Sequence, residues 1–168
     1  MTGREVRRLW ILALGMVLTG CGMAPAGGNE GRTVTSLHAD AFCGTSQAAV
    51  RWLDSRRAVL QALGRRRTDR DGVHSAVREL DFERDAVVEI SLGERPSAGY
   101  AVTLADTAAA VEHHALHLSV RVTSPAPDAM AAQVVTSPCL MVVVPRGNYR
   151  RVEVTDVDGT AMGTAALP

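Results

Sequence analysis

Four stretches in the second half of the chain carry apolar patterns that predict β-strands. Residues 86–92, 100–104 and 115–122 alternate apolar and polar side chains, which is the period of a half-buried strand. Residues 139–145 are apolar almost throughout, which is typical of a strand buried on both faces. The side chains expected to face the core are Val88, Ile90, Leu92, Tyr100, Val102, Leu104, Leu116, Leu118, Val120 and Val122.

A segment before these strands has helical spacing instead. Between residues 45 and 64, apolar side chains recur every three or four positions opposite arginines, with Trp52 as a core anchor. Thr45 or Ser46 can cap the start, and Gly64 can end the helix. The sequence therefore predicts a mainly β domain of the α+β class with one N-terminal helix. We expect an antiparallel β-sandwich or partly open barrel with the helix packed on it.

The connections carry turn signals. Residues 123–138 predict a long loop, and Gly147-Asn148 is a good signal for a two-residue hairpin. Asp156 to Thr160, DVDGT, resembles the start of a calcium loop but lacks the glutamate at its twelfth position, so we expect a plain turn. Residues 161–168 are small and without pattern and are expected to fray.

The N-terminus has the pattern of an export signal. Basic residues precede a short apolar run, which is too short to cross a membrane as a helix, and Leu-Thr-Gly-Cys at 18–21 resembles a bacterial lipobox. We expect residues 1–20 to be a lipoprotein signal peptide and Cys21 to carry the lipid. Residues 21–36 then form a flexible tether, 37–160 a single domain and 161–168 the tail. The expected location is the cell envelope, and Gly22 after the lipidated cysteine favours the outer membrane of a double-membraned cell.

Charge and cysteine content narrow the function classes. The 168-residue chain has formal net charge zero, with 18 arginines and no lysine, so nothing indicates a nucleic-acid partner. Cys43 and Cys139 lie in an exported chain, where disulfides are permitted. Sequence alone leaves a Cys43–Cys139 bridge and two buried thiols as equal alternatives.

Candidate chemistry is sparse. His113, His114 and His117 do not share the spacing of metal ligands on one strand face, and we interpret them as surface histidines. Signatures of a serine nucleophile, of a phosphate loop and of a dinucleotide site are missing. We expect no metal, no cofactor and no enzymatic activity.

The segment SLGERPSAGYAVTL, residues 91–104, interrupts two predicted strands with a stiff turn. Proline limits the backbone before it, and Gly99 permits a positive φ. Two readings stay open on physical grounds: a hairpin turn whose tyrosine covers the core edge, or a rigid recognition loop. The candidate binding residues of the loop are Arg95, Pro96, Ser97, Gly99 and Tyr100.

The same segment carries a family resemblance. Residues 81–104, then VRVTSPAPD and TSPCLMVVVP in that order, resemble the C-terminal domain of the PrcB-type protease-complex subunit family, over roughly residues 48–145. Two departures stand out, because Ala98 replaces the first glycine of the family's pair and Cys139 stands where an aromatic residue is typical. The resemblance also places Thr136, Ser137 and Pro138 as neighbours of the loop.

The resemblance implies a function that the residue pattern alone does not give. It implies a lipoprotein that associates with an exported subtilisin-type protease and supports its assembly or stability. The loop is also similar to the cleft-inserting loop of chagasin-type inhibitors of cysteine proteases, so direct inhibition is an alternative. A structural envelope lipoprotein without a protease partner is a third.

Overall fold

The computed structural model describes residues 31–64 and 72–168. The expected signal peptide, the lipidation site Cys21 and the tether up to residue 30 lie outside the described residues. The elements in chain order are β1 Arg32–Thr33, β2 Thr35–Asp40, β3 Ala48–Leu53, α1 Arg56–Leu63, α2 Val73–Glu79, β4 Asp85–Leu92, β5 Ala101–Leu104, β6 Ala108–Glu112, β7 Ala115–Thr123, β8 Cys139–Pro145, β9 Arg151–Asp156 and β10 Ala161–Ala166.

These strands form two sheets that are not closed into a barrel. The four-stranded sheet has the order β2-β8-β4-β3 and is antiparallel. The six-stranded sheet has the order β1-β6-β7-β9-β10, with β5 also paired to β7. Its β7–β9 pair is parallel, so the purely antiparallel arrangement expected from the sequence is wrong at this pair. The described fold is mainly β with two short helices.

The main core lies between the two sheets and follows the alternation of the sequence. Val88, Ile90 and Leu92 of β4 form one buried cluster with Leu116 and Leu118 of β7. Each strand places every second side chain on the same face, so both sheets present an apolar face to each other. This arrangement is compatible with the predicted sandwich.

A second cluster covers the outer face of the four-stranded sheet. In β8, Leu140 and Val142 face the main core, whereas Met141 packs with Val59 and Val77 of the two helices. The strand is therefore buried on both faces, as its continuous apolar run predicted. Within the described ranges, neither helix is long and apolar enough to cross a membrane.

The prediction of one N-terminal helix over residues 45–64 is wrong in its first half. Residues Ala48–Leu53 are β3, paired with β4, and Trp52 packs on the main core while staying partly exposed. Val50 and Trp52 also fit the two-residue period of a strand, and pairing with β4 overrides helix propensity. The helix begins at Arg56, where the Ser55 hydroxyl accepts a hydrogen bond from the Ala58 N–H, and Gly64 ends it as expected.

The ordered strands extend beyond the expected domain at both ends. The tether was expected to reach residue 36, but β1 and the start of β2 lie in it, and Val34 between them is buried. Residues 161–166 form β10 rather than a frayed tail, because they pair with β9. The cause at both ends is pairing with a neighbouring strand, which small or polar residues can join without an apolar pattern of their own.

The turns differ in one place from the sequence prediction. Gly147-Asn148 does not join a hairpin, because β8 and β9 belong to different sheets and the chain crosses between them. The segment Asp156–Thr160 is a turn, as predicted, and it connects β9 to β10 with a hydrogen bond from the Asp156 N–H to the Thr160 carbonyl. The long loop expected at residues 123–138 is confirmed between β7 and β8.

Tyr149 packs at the point where the chain crosses from β8 in one sheet to β9 in the other. Its side chain is buried, its hydroxyl donates to the Pro145 carbonyl at 2.5 Å, and its ring meets Trp52 edge to face with centroids 6.3 Å apart. Burial raises the pKa of Tyr149 to about 12, although the nearby positive charge of Arg146 acts to lower this pKa. The folded state therefore holds the phenol proton more tightly than the unfolded chain, and this contribution to stability is present below pH 10 and is lost between about pH 10 and 12.

An alkaline titration tests this assignment. The chain has two tyrosines, so Tyr100→Phe leaves Tyr149 as the single source of tyrosinate absorbance. We expect its midpoint at about pH 12 in the folded protein and near 10 in urea-unfolded chain. Equal midpoints in both states would contradict the buried position of the phenol.

Candidate protein-binding site

The predicted recognition loop leaves β4 through a glycine that no other residue can replace without strain. Gly93 has φ +74°, and a Cβ added there would lie 2.7 Å from the Ala48 backbone nitrogen. The positive φ and the close approach to β3 both favour glycine. The loop therefore starts at a fixed point on the four-stranded sheet.

Hydrogen bonds then hold the loop along its length against the segment before β8. Arg95 and Thr136 exchange two backbone hydrogen bonds, of 2.8 Å and 2.9 Å, as an isolated antiparallel bridge. The Thr136 hydroxyl donates to the Ser97 carbonyl at 3.0 Å, and the Ala98 N–H donates to the Ala132 carbonyl at 2.9 Å. These bonds leave the loop with little conformational freedom.

The loop surface is divided between buried and exposed residues. Ser97 is buried, Pro96 and Gly99 are exposed, and Arg95 and Tyr100 are half-buried. The guanidinium carbon of Arg95 lies 5.8 Å from the centroid of the Tyr100 ring, within the range of a cation–π contact. A rigid ridge that includes Pro96 and Gly99 therefore faces solvent, with an arginine and a tyrosine at its base.

Thr136, Ser137 and Pro138, which the resemblance placed beside the loop, are buried. Thr136 contacts the loop directly through the bonds to Arg95 and Ser97. These three residues therefore lie under the loop, on its side towards the protein interior, and expose little surface that a partner could contact. Their part in binding remains a prediction, as does that of the loop residues.

A disulfide connects the segment that holds the loop, residues 136–139, to the chain just after β2. Cys43 and Cys139 are bonded, with their Cα atoms 5.9 Å apart, which decides the alternative that the sequence left open. Beside it, the Cys43 N–H donates to the Ser137 carbonyl at 2.9 Å, and the Gly44 N–H donates to the Ser137 hydroxyl at 2.7 Å. Phe42, just before these contacts, forms a β-bridge with Ser137, and 55% of its surface stays exposed.

The exposed apolar residues on the segments that hold the loop were not predicted from the sequence. Besides Phe42, the side chains of Met130, Val134 and Val135 are exposed, at 105%, 42% and 61%. Val134 and Val135 immediately precede Thr136 and so lie next to the loop. The available signal was an apolar pair inside a loop between proline-rich segments, where no strand pattern accounts for it.

The histidines lie on a different part of the molecule. His113 and His114 form the turn between β6 and β7, both with positive φ, and His117 Nδ1 is 3.6 Å from a carboxylate oxygen of Glu153. A hydrogen bond from Arg151 lowers the pKa of Glu153. Among residues 31–64 and 72–168, no group of three or more His, Cys, Asp or Glu side chains is arranged to hold a metal ion.

The geometry defines a mainly β domain of two sheets that presents an ordered loop at one end. Residues 86–145 match the family model described as PrcB C-terminal, which confirms the resemblance found in the sequence. The matched range includes the loop and the segment that holds it. The family is one of accessory subunits associated with protease complexes. No curated protein and no solved structure matches the chain.

Removing the disulfide should destabilise the fold and loosen the segment, residues 136–139, that holds the loop. The bridge joins residues 96 positions apart, so the double variant Cys43→Ser/Cys139→Ser should lose about 2–5 kcal/mol of unfolding free energy in urea denaturation. Wild-type protein unfolded under reducing conditions is the matched control and should lose a similar amount. A change below about 1 kcal/mol would contradict the constraint.

Proposed function

We propose that this chain is a lipid-anchored binding module of the cell envelope, which associates with an exported protease as an accessory subunit. The match of residues 86–145 to the PrcB-type family carries the proposal, because that family implies association with a protease complex. The proposed partner is a secreted protease of the subtilisin type. The proposed contact is the recognition loop, Arg95 to Tyr100.

The rigidity of the loop supports this role. A loop that is already ordered loses little conformational entropy on binding, and each side chain that need not be immobilised saves about 0.5–1.5 kcal/mol. Arg95 and Tyr100 are of the residue types that most often contribute binding energy at interfaces. Their mutual contact holds both side chains at the edge of the exposed ridge.

The direction of the chain supports an anchor at the opposite end of the domain. β2 runs from Thr35, opposite Val143, to Asp40, opposite Cys139, so the chain enters away from the loop. Gly147 lies close to Arg32 at this entry, and β4 connects the two ends over eight residues, about 26 Å. A lipid on Cys21 would then hold the loop on the side away from the membrane, and each buried methylene contributes about 0.8 kcal/mol to anchoring.

Co-purification tests the proposal. Tagged full-length chain, recovered from detergent-solubilised membranes of the native cells, should carry a subtilisin-type protease identified by mass spectrometry. Arg95→Ala should lower the yield at least tenfold, a loss of about 1.4 kcal/mol. Arg84→Ala, an exposed arginine near the start of β4, is the matched control and should not change it.

The anchor is read out in the same experiment. Cys21→Ser should move the complex from the membrane fraction to the soluble fraction, and the two proteins should remain associated. Recovery of bait alone, or equal losses from Arg95→Ala and Arg84→Ala, would contradict the proposal.

Direct inhibition is the second candidate, and the exposed Pro96 tip between two fixed loop ends favours it. The co-purified protease distinguishes the two roles. If the chain is an assembly subunit, adding it to the free protease leaves the cleavage rate of a small peptide substrate unchanged. If the loop occupies the catalytic cleft, that rate falls with added chain, and Pro96→Gly weakens the effect.

A further inference from the structure

The arginines of the domain differ in how their charge is balanced. Several form ion pairs with carboxylates or donate to backbone carbonyls, namely Arg51, Arg56, Arg84, Arg146 and Arg151. Arg95 does neither: in the part of the chain that the structure describes, its side chain takes part in no hydrogen bond and no ion pair. Its guanidinium contacts the Tyr100 ring instead.

Arg95 also differs from the other arginines that lack a side-chain partner. Among the described residues these are Arg57, Arg121 and Arg150, and all three are exposed, so water hydrates their charge. Arg95 is half-buried, and its Nε is enclosed by protein without an acceptor. Neither water nor the domain itself therefore compensates fully for the dehydration of this charge.

The terminal nitrogens of Arg95 remain accessible. Nη1 and Nη2 also have no hydrogen-bond partner, but unlike Nε they are not enclosed. The guanidinium carbon lies 5.8 Å from the centroid of the Tyr100 ring, and the backbone bridge to Thr136 fixes the position of the Arg95 main chain. The loop therefore presents an oriented, planar set of N–H donors to solvent at the base of its exposed ridge.

The acidic residues near the loop are directed elsewhere. Glu94 precedes Arg95, and its N–H donates to the Ser46 carbonyl, on the side of β3. Asp40 lies near Tyr100, but its carboxylate accepts the Phe42 N–H and is 3.7 Å from the His38 ring. The positive charge of Arg95 is therefore without a counter-charge from its own domain, within the described residues.

We propose that Arg95 binds an aspartate or glutamate side chain of the partner protein. The carboxylate accepts from the terminal nitrogens in the planar, two-bond arrangement that suits a guanidinium, and the Tyr100 ring holds the group in place. A partly dehydrated site strengthens this ion pair relative to one on open surface. The proposal rests on the proposed function in taking the loop as the contact, and it adds the charged group that the partner supplies.

The charge distribution favours a protein carboxylate over an anionic membrane. Membrane surfaces attract clusters of several basic residues, whereas Arg95 is the one basic residue between positions 93 and 100. The chain also enters the domain at the end away from the loop, so an anchor there holds Arg95 away from the lipid. One oriented guanidinium suits one carboxylate.

Peptide selection tests this chemistry without knowledge of the partner. The probe is a phage-displayed library of random dodecapeptides, depleted on the Arg95→Met variant and then selected on wild-type full-length chain in detergent. We expect the selected peptides to share an aspartate or glutamate at one position. Replacing that residue with asparagine or glutamine should weaken binding at least tenfold, and added salt should weaken binding of the acidic peptide.

Matched variants of the chain separate the geometry from the charge. Arg95→Lys keeps the charge but not the planar donors, so it should bind the acidic peptides about threefold to fivefold more weakly than wild type. Arg150→Met removes an exposed, unpaired arginine whose N–H is bonded to His114 at the turn between β6 and β7, and it should leave binding unchanged.

The role of the ring and the role in folding have their own readouts. Tyr100→Leu should weaken binding of the acidic peptides about threefold, whereas Tyr100→Phe keeps the ring and should bind as wild type does. Arg95→Met should leave the urea unfolding midpoint unchanged or raise it, because it removes a dehydrated charge without a partner. A lower midpoint would assign Arg95 to the fold and contradict a role in binding.

The remaining outcomes are distinct. Selected peptides without a shared acidic position, equal binding of acid and amide peptides, or failure to obtain any binder that depends on Arg95 would overturn the proposal. Dimerisation or binding to anionic vesicles that Arg95→Met abolishes would also overturn it. The proposed function fails separately: if a protease co-purifies but acidic peptides are not preferred, only the partner chemistry is wrong. If they are preferred and no protease is recovered, the carboxylate site stands without its assigned partner.

Discussion

The backbone bridge between Arg95 and Thr136 is the interaction on which the binding end depends. Thr136 lies three residues before β8, the strand paired on both sides and buried on both faces. Through this bridge a central strand of the four-stranded sheet fixes the position of the exposed loop. Without it, the loop would be held only by the Thr136 hydroxyl bond to Ser97 and the bond from Ala98 to Ala132.

The disulfide extends the same constraint to the end of β2. Cys139 opens β8, and its bond to Cys43 holds Phe42 beside Ser137. The loop and Phe42 are thus attached to one backbone segment, residues 136–139. A surface that is ordered before it meets a partner gives up less entropy on binding, which suits a domain that works by recognition.

The sequence predicted those parts of the fold in which burial leaves a periodic pattern. Val88, Ile90 and Leu92, and likewise Leu116 and Leu118, alternate because one face of each strand is buried against the other sheet. Among the strands that the sequence did not predict, two were missed for opposite reasons. Ala48–Leu53 also fits a helical period, and Ala161–Ala166 has only small residues, including a Gly163 whose added Cβ would lie 2.9 Å from a methyl of Val50.

The candidate site was predictable in part for a similar reason. Pro96 and Gly99 predict a turn from local sequence, and the family motif includes this turn. The bridge from Arg95 to Thr136, by contrast, joins two segments that strands β5 to β7 separate along the chain. The exposure of Phe42 and Val135 could not be predicted, because the tertiary fold decides which apolar side chains stay on the surface.

Amide hydrogen exchange tests the constraint on the loop most directly. The Arg95, Ala98 and Thr136 amides donate hydrogen bonds within the loop and its support, whereas Asp128, in the same long loop, has no backbone partner for its amide among the described residues. The account predicts exchange of the first three at least a hundredfold slower than that of Asp128 under native conditions. Exchange of Arg95 and Thr136 as fast as that of Asp128 would show a mobile loop and contradict the account.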